Sequence, residues 1–295
     1  MKPLHLVELL VLAAIWGASF IFMRVAVPEF GPIPLIGIRC LLAALVLFPV
    51  FLARKPLSLL WLNKRHILFI GTFNSALPFT LFAFATLHLS AGFTAIINAT
   101  VSILTAVIAY FWLKESLTLP RALGLLAGFG GVVALVVSTG SLDESSTATA
   151  VLAGLGASFS YGVSACYIRR NLQGIDSLTL SLSSLVAASL VLLPLTIGFW
   201  PETMPSTNSW INAVVLAGLC TGLAYILYFR LIRHIGSSST ASVTLLIPLF
   251  GMMWGVVLLD EVVTFKMILA ALLIIAGTAI SSGIINPKAW IKHIQ

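Results

Sequence analysis

The chain has 295 residues, of which 60% are hydrophobic and only 8% are charged, and its formal net charge is +7. Its mean hydropathy of +1.11 corresponds to more apolar surface than one soluble core of this length can bury. These values exclude an ordinary soluble domain and predict an integral membrane protein. At about 20 residues per crossing, the length allows roughly ten transmembrane helices with short loops.

Ten apolar segments follow one another along the chain, each long enough to cross a hydrocarbon layer of roughly 30 Å. In order they lie near 4–25, 34–52, 66–87, 92–113, 121–138, 150–168, 178–200, 210–229, 240–259 and 266–285. The predicted fold class is therefore all-α integral membrane, with ten transmembrane helices. No signal-peptide cleavage pattern stands apart from the first segment, so we expect that segment to be retained as a helix.

The charged residues predict how these helices are oriented. If the N-terminus is cytoplasmic, the inner loops receive almost all of the lysines and arginines, and the outer loops receive mostly acids. The outer acids are Glu29, Asp143, Glu144, Glu202, Asp260 and Glu261. The positive-inside rule then predicts that both termini are cytoplasmic. The basic net charge is thereby a topology signal, so we expect the lipid bilayer as a partner and no nucleic acid.

A sequence repeat links the two halves of the chain. The stretch AGFTAIINATVSILTAVIAYFWLKE at 91–115 returns 146 positions later as SSSTASVTLLIPLFGMMWGVVLLDE at 237–261. The tetrapeptide GASF at 17–20 likewise recurs at 156–159. A repeat of five helices, an odd number, enters the membrane from opposite sides in its two copies. The sequence therefore predicts two inverted five-helix repeats, an architecture common among secondary transporters.

The repeat also predicts the boundaries of the two halves. We expect a first repeat at 1–138, an external linker at 139–149 and a second repeat at 150–295. At the end of the repeated helix, Lys114 on the predicted inner side is replaced by Asp260 on the predicted outer side. This change of sign agrees with an inverted orientation.

Polar and aromatic side chains recur on equivalent faces of the two halves, which predicts a substrate cavity near the midplane where the halves meet. Pro248 interrupts the backbone hydrogen bonds of its helix, leaving carbonyls that could bind a substrate ammonium. The candidate substrate-binding residues are Trp16, Ser19, Phe20, Ser75, Phe79, Phe82, Asn98, Ser102, Phe159, Tyr161, Tyr225, Tyr228, Thr244 and Pro248. The alternative is packing, with aromatic stripes against lipid or neighbouring helices and Asn or Ser tying two helices together.

Three ionisable side chains inside the spans are candidates for contact with a substrate carboxylate or a proton. Arg24 and Arg39 lie toward the outer ends of the first two helices, and Glu29 lies between them. For both arginines we favour snorkelling or pairing with Glu29, although either could bind a carboxylate through two hydrogen bonds. Glu8 lies near the cytoplasmic end of the first span, where it could carry a proton or a cation, or be solvated.

Several enzyme classes fail on their required residues. No GxxxxGK[ST] loop occurs, which argues against ATP-driven transport by this chain. An intramembrane aspartyl protease needs two buried acids, but Asp143, Asp176 and Asp260 all fall in predicted loops. The five histidines lack the spacing of metal ligands. We therefore expect no catalytic activity, no cofactor and no metal.

Two copies of a family signature occur in the chain. YFWLKESLTLPRALGLLAGFGGVVAL at 110–135 and GVVLLDEVVTFKMILAALLIIAGTAI at 255–280 resemble the helix–glutamate–helix signature of EamA domains in the drug/metabolite transporter superfamily. AAIWGASFIFMRVAV at 13–27 and IRCLLAALVLFP at 38–49 are also similar to the family pattern. The resemblance covers nearly the whole chain. It implies a ten-helix transporter of the bacterial inner membrane with cytoplasmic ends. Such transporters commonly export metabolites.

Within that superfamily, the chain looks closest to the YddG-type aromatic amino-acid exporters in length and in its aromatic helix faces. We therefore expect a secondary transporter that exports a small-molecule substrate, an aromatic or broader range of amino acids, by alternating access. A multidrug or quaternary-cation exporter of the same superfamily is one alternative. A membrane scaffold or channel is another. The oligomeric state stays open, and a monomer is compatible with the sequence.

Overall fold

The computed structural model describes residues 3–56, 64–116, 118–138 and 145–281. In this part of the chain the secondary structure is helical, and no strand occurs. Nine of the described helices have at least 18 residues and are apolar enough to cross a membrane. A tenth, Phe265–Ser281, is shorter and ends at the last described residue. The predicted all-α membrane fold with two repeats of helices is confirmed.

We number the ten segments α1 to α10 in chain order. The first repeat contains α1 (Pro3–Phe30), α2 (Pro32–Leu52), α3 (Lys64–His88), α4 (Ala91–Trp112) and α5 (Leu119–Ser138). The second contains α6 (Ser145–Asn171), α7 (Ser177–Gly198), α8 (Thr207–Ile235), α9 (Ser237–Ala241 and Val243–Leu259) and α10 (Phe265–Ser281). These bounds lie within a few residues of the predicted spans, except that several helices extend further into the loops.

The junction between the repeats is only partly described. α6 begins at Ser145, inside the segment predicted as a linker. The remainder of that linker, 139–144, lies outside the described residues, and so do Asp143 and Glu144. The same holds for the predicted cytoplasmic C-terminus and the end of the last predicted span, both within 282–295.

The two repeats interlock through equivalent helix pairs. α1 packs against α8 and α9, and its equivalent α6 packs against α3 and α4. The equivalent helices α2 and α7 pack on each other, and so do α5 and α10. Exchanging the two halves therefore maps the contacts of α1 onto those of α6, and it maps the α2–α7 and α5–α10 pairs onto themselves. The two halves therefore pack by the same scheme of helix contacts. Helices of both halves surround the space between them.

Glycines allow α5 and α10 to approach closely. A methyl group on Gly277 would lie 2.5 Å from both the carbonyl oxygen of Gly124 and the backbone nitrogen of Gly128. Gly124 and Gly128 form a GxxxG pattern on α5. Small residues at this spacing let two membrane helices touch through their backbones, where dispersion contacts replace the hydrophobic driving force that lipid cannot supply.

The backbone is irregular at equivalent places in the two halves. α3 contains a π-helical turn at Thr72–Ala76, and α8 contains one at Gly218–Leu223. Their first residues are 146 positions apart, the same offset as in the sequence repeat. π-Turns inside α-helices are frequently found at functional sites. Irregular backbone at membrane depth is tolerated where protein or a polar cavity surrounds it.

The repeated helices α4 and α9 also end in the same way. Lys114 and Asp260 follow them with left-handed φ angles of 57° and 51°. The backbone N–H of the next residue, Glu115 or Glu261, then donates to a carbonyl of the last helical turn, at 3.3 and 3.0 Å respectively. This left-handed helix ending satisfies carbonyls that would otherwise lack a donor.

Candidate functional site

A cavity with a volume of about 390 Å³ lies between the two repeats. Side chains from both halves line it, as an inverted-repeat transporter requires. The predicted substrate-binding residues that line it are Trp16, Ser19, Phe20, Phe79, Phe82, Asn98, Ser102, Tyr161, Tyr225, Tyr228 and Thr244. Most of the predicted set is therefore brought together by the fold.

Aromatic rings form much of the cavity wall. Trp16 meets Tyr225 edge to face, with ring centroids 6.4 Å apart and an interplanar angle of 83°. Phe82 packs edge-on against Phe20 at 5.8 Å and lies 6.3 Å from the ring of Tyr161. Edge-to-face pairs hold rings at fixed angles. The wall therefore presents preorganised ring surfaces to a flat apolar group.

Arg39 reaches this cavity from α2. Its side chain is buried, with 6% of its surface exposed. Its Nε–H donates to the Thr221 hydroxyl at 3.0 Å, and its guanidinium carbon lies 3.8 Å from the centre of the Phe79 ring. The favoured expectation of snorkelling or pairing with Glu29 is therefore wrong for Arg39, because the side chain turns inward to α8.

The π-turn of α8 positions the partner of Arg39. The Thr221 hydroxyl donates to the Leu216 carbonyl five residues earlier, at 2.9 Å. Since that bond uses the hydroxyl proton, the oxygen lone pairs remain to accept from Arg39. Thr221 is thus an oriented acceptor. Burial and a defined hydrogen-bond pair hold the arginine in one place.

The equivalent contact in the other half is neutral. Ser75, in the π-turn of α3, lies with its hydroxyl 2.7 Å from the Ser184 hydroxyl of α7. Ser184 occupies in α7 the place that Arg39 occupies in α2, at an offset of 145 positions. Ser75 was predicted to bind substrate, but it is buried in this contact and does not line the cavity.

Asn74 lines the cavity instead of its neighbour Ser75. A π-turn contains one more residue per turn than an α-helix, so it rotates the side chains that follow a regular 3.6-residue count. Asn74 was not predicted, because a hydrophobic pattern does not reveal a π-turn. Ser177 and Ser181, which line the cavity from α7, were not predicted either. Their spacing of four on an apolar helix was a usable signal.

Two other predicted residues do not reach the cavity. Phe159 is 53% exposed, so α6 turns it outward, while Tyr161 on the same helix faces inward. Pro248 is buried within Val243–Leu259, which continues as a helix through it. The interruption in α9 falls earlier, at Ser242. These positions correct the expectation that both residues line the cavity between the repeats.

Arg24 belongs to a contact outside the cavity lining. Its Nη1 donates to the carbonyls of Thr86 and Leu89 at 2.6 and 2.7 Å, and its Nε lies 3.6 Å from a carboxylate oxygen of Glu261. The predicted pairing with Glu29 is therefore wrong for Arg24 also. Glu29 instead accepts from the Ser206 hydroxyl at 2.9 Å.

The Glu261 carboxylate also caps a helix. It accepts from the backbone N–H groups of Ala91 and Gly92 at 2.6 and 3.0 Å. These are the first residues of α4, where free N–H groups and the helix dipole favour an anion. Arg24, Glu261 and the start of α4 thus join three helices, and we call this cluster the Glu261 latch.

Glu8 is held at the other end of α1. Its carboxylate lies 3.0 Å from Nε of Arg230 on α8 and 3.3 Å from Nδ1 of His5. It does not line the cavity. In the structure it forms an ion pair between two helices.

The chain is similar to known membrane transporters over both of its halves. The model of the EamA-like transporter family matches residues 6–137 and 148–283. The uncharacterized transporters YoaV and YvbV of Bacillus subtilis (strain 168) are 24% and 27% identical to this chain. These alignments cover 89% and 90% of the chain, and 91% and 87% of those proteins.

Two further similarities extend over most of the chain. A protein of Salmonella typhimurium (strain LT2) described as a probable amino-acid metabolite efflux pump is 24% identical, with 92% of each chain covered. A crystal structure matches the fold with a TM-score of 0.68 at 16% identity, over 96% of this chain and 99% of the other. The family match covers both halves of the described bundle, each with its own copy of the glutamate-ended helix. The chain therefore belongs to the EamA-like transporter family, and it is a multi-pass membrane transporter.

Proposed function

We propose that this transporter exports amino acids, aromatic or of broader range, across the bacterial inner membrane. The observation that carries the proposal is the cavity between the repeats, which combines aromatic walls with one buried arginine. Its volume of about 390 Å³ falls within the range of small-molecule sites. The similarity to a probable amino-acid metabolite efflux pump supports the same substrate class.

In this proposal the cavity binds the two ends of the substrate differently. The side chain of the amino acid packs between rings such as Tyr161 and Tyr225, which supply apolar surface at fixed angles. Its polar end lies toward Arg39, with Asn98 and Ser102 as neutral hydrogen-bonding groups. No catalytic step is required of any of these residues.

The arrangement of the two ends of the bundle supports alternating access. The proposed orientation has cytoplasmic termini and repeats at 1–138 and 150–295 separated by an external linker. The lining then extends toward the cytoplasm, to Ile168 and Ser177 beside the connection between α6 and α7. On the opposite side the Glu261 latch joins α1, α4 and α9. The structure then corresponds to an inward-facing state, and export requires this latch to open.

A cationic substrate fits the cavity less well. Among the described lining residues, Arg39 is the only side chain with a formal charge, and that charge is positive. Glu8, the acid that could have served a cation, is paired with Arg230 away from the cavity. A multidrug or quaternary-cation exporter would place a cation against this arginine, where like charges repel in a medium of low dielectric constant.

Flux measurements test the proposal. Vesicles that contain the purified protein are loaded with labelled phenylalanine, threonine or other amino acids. They should release the label faster than vesicles with the same load and no protein. Tyr225→Ala and Asn98→Ala should each lower this flux, because both residues line the cavity. Phe159→Ala is the matched control, since that ring faces outward. Absence of flux for every amino acid would contradict the function.

Accessibility labelling distinguishes a transporter from a scaffold or channel. Single cysteines placed along α3 and α8 should react from the cytoplasmic side in one state and from the external side in another. Simultaneous access from both sides would indicate a channel, and no change with substrate would argue against alternating access.

A further inference from the structure

We infer that the cavity recognises its substrate through a carboxylate held by Arg39 and not through an ammonium group. The cavity should therefore also accept aromatic monocarboxylates that have no amino group. This inference rests on the proposed use of the cavity as the substrate site, and it names a second chemical class of substrate for that site.

The first support is the number of Arg39 hydrogen-bond donors that are not used in contacts with the described part of the protein. A guanidinium group has five N–H donors. In the structure Nε–H goes to Thr221, and Nη1 has one weak contact with the sulfur of Met23 at 3.6 Å. Five donors minus these two leaves three for a ligand. They lie across Nη1 and Nη2, an edge that can bind both oxygens of a carboxylate.

The second support is the charge of Arg39. In the described part of the chain, no carboxylate oxygen lies within 4.0 Å of its nitrogens. A buried cation without an anion loses hydration that neutral partners replace only in part. The Phe79 ring and the Thr221 hydroxyl provide such partial compensation. A carboxylate ligand would supply the negative charge that compensates the remaining loss of hydration at Arg39.

The third support is the absence of a matching site for an ammonium group. No aspartate or glutamate lines the cavity among the described residues. The groups available to an ammonium are neutral, such as the amides of Asn74 and Asn98. A carboxylate is attracted to the positive charge of Arg39 in a medium of low dielectric constant, whereas an ammonium is repelled by it. Removing the carboxylate from a substrate should therefore weaken binding much more than removing the ammonium.

Three compounds with the same ring test this preference: phenylalanine, 3-phenylpropionate without the ammonium, and 2-phenylethylamine without the carboxylate. Binding to the purified full chain is measured by calorimetry, because the neutral forms of the last two compounds cross lipid unaided. We expect 3-phenylpropionate to bind within about 10-fold of phenylalanine, and 2-phenylethylamine to bind about 10- to 100-fold more weakly than either.

Variants assign the preference to Arg39. Arg39→Gln should weaken both carboxylates about 10- to 100-fold and leave 2-phenylethylamine unchanged or tighter. Arg39→Lys keeps the charge but loses the planar pair of donors, so we expect an intermediate loss. Arg233→Gln, on the exposed end of α8, removes the same charge away from the cavity and is the control.

The outcomes separate this inference from the proposed function. Equal or tighter binding of 2-phenylethylamine by the natural chain would overturn the inference even if no Arg39 variant folds. Equal carboxylate affinity in a folded Arg39→Gln variant would also overturn it. Phenylalanine flux with no carboxylate preference leaves the export function standing without the inference. Arg39-dependent binding of 3-phenylpropionate without amino-acid flux supports the inference and contradicts amino-acid export.

Discussion

The two repeats use one backbone scheme with different side chains at one decisive contact. In one half Arg39 meets the π-turn of α8 at Thr221, and in the other Ser184 meets the π-turn of α3 at Ser75. The helices that carry these pairs are equivalent, and the π-turns begin at equivalent positions. The repeat therefore builds a nearly symmetric cavity, and a single substitution gives that cavity a charged end. Symmetry supplies the framework, and the departure from it supplies the buried positive charge of Arg39.

The largest expected effect is at the α5–α10 contact. Gly131 and Gly277 are equivalent residues, but an added methyl would meet different groups. On Gly277 it would lie 2.5 Å from backbone atoms of α5, whereas on Gly131 its nearest neighbour is the Ile274 side chain at 2.8 Å and backbone atoms of α10 lie no closer than 3.0 Å. Because backbone cannot move aside as a side chain can, we expect Gly277→Ala to destabilise the protein by about 1–3 kcal/mol, and Gly131→Ala by less.

Thermal unfolding of the purified protein measures this difference. Gly130→Ala is the matched control, because no atom lies within 4 Å of the position its methyl would take. Alanine has the higher helix propensity there, so we expect no loss of stability for that variant. Equal melting temperatures for Gly277→Ala and Gly130→Ala would contradict the close packing of α5 and α10.

The next effect concerns the Glu261 latch. Glu261→Gln removes the negative charge near Arg24 and places an N–H₂ group among the N–H donors at the start of α4. We expect a loss of about 1–3 kcal/mol, because hydrogen bonds to a charged group are lost at a site only 10% exposed. Cysteines placed on the external side of the cavity should also become more reactive toward a membrane-impermeant label.

Glu202→Gln is the control for the latch. Glu202 lies in the connection between α7 and α8, and its side chain is exposed. It should leave both the melting temperature and the labelling rate unchanged. Unchanged external labelling in Glu261→Gln would mean that the latch does not hold the bundle closed.

A smaller pair of effects would separate the charged contact from its neutral equivalent. Thr221→Val removes the acceptor that orients Arg39, and we expect substrate affinity to fall about 3- to 10-fold, which corresponds to one ordinary hydrogen bond. Ser75→Ala removes a hydroxyl from the equivalent contact, which lies outside the cavity lining. It should lower stability by about 1 kcal/mol with no change in affinity.

Calorimetric binding and thermal unfolding, measured on the same preparations, test both variants. We expect the substrate affinity to change in Thr221→Val, and the melting temperature to change without the affinity in Ser75→Ala. Loss of affinity in Ser75→Ala as large as in Thr221→Val would show that the two contacts serve recognition equally, and the proposed asymmetry of the cavity would be wrong.

The smallest effect is at an ion pair outside the spans. The Asp176 carboxylate lies 3.3 Å from the Lys55 ammonium and accepts from the Thr179 hydroxyl at 2.7 Å. Burial alone would raise the pKa of Asp176, but the hydrogen bonds from Thr179 and Lys55 outweigh it and lower the pKa overall. The resulting stabilisation is present above the ordinary pKa of an aspartate and is lost as the pH falls through the lowered value.

Asp176→Asn tests this pH dependence. Asparagine keeps the helix cap of α7 but not the charge. We expect a loss of at most about 0.5 kcal/mol near neutral pH, because solvent screens a half-exposed pair. The difference in melting temperature between the two proteins should shrink as the pH is lowered below the ordinary aspartate range. A difference that grows on acidification would contradict the sign.

Much of the site could be predicted from the sequence because equivalent residues mark a shared face. Trp16, Phe82 and Tyr225 line the cavity, as their helical spacing indicated. Ser75 and Phe159 were predicted with them but lie elsewhere, since periodicity gives the face of a straight helix and not its rotation in the bundle. The π-turn of α3 changes that rotation, so that Asn74 lines the cavity and Ser75 does not.

The sequence by itself determined the number of spans and the two repeats, because hydropathy acts on each segment separately and equivalent residues recur at a constant offset. It also contained the helix ends at Lys114 and Asp260, which are set by local backbone bonding. Only the tertiary structure decided which partners the arginines have. Arg39 and Thr221 are 182 positions apart in the chain, and no local pattern relates two residues that meet only when the repeats interlock. Burial of the Arg39 charge depends on that contact, so the charged end of the cavity exists only in the assembled bundle.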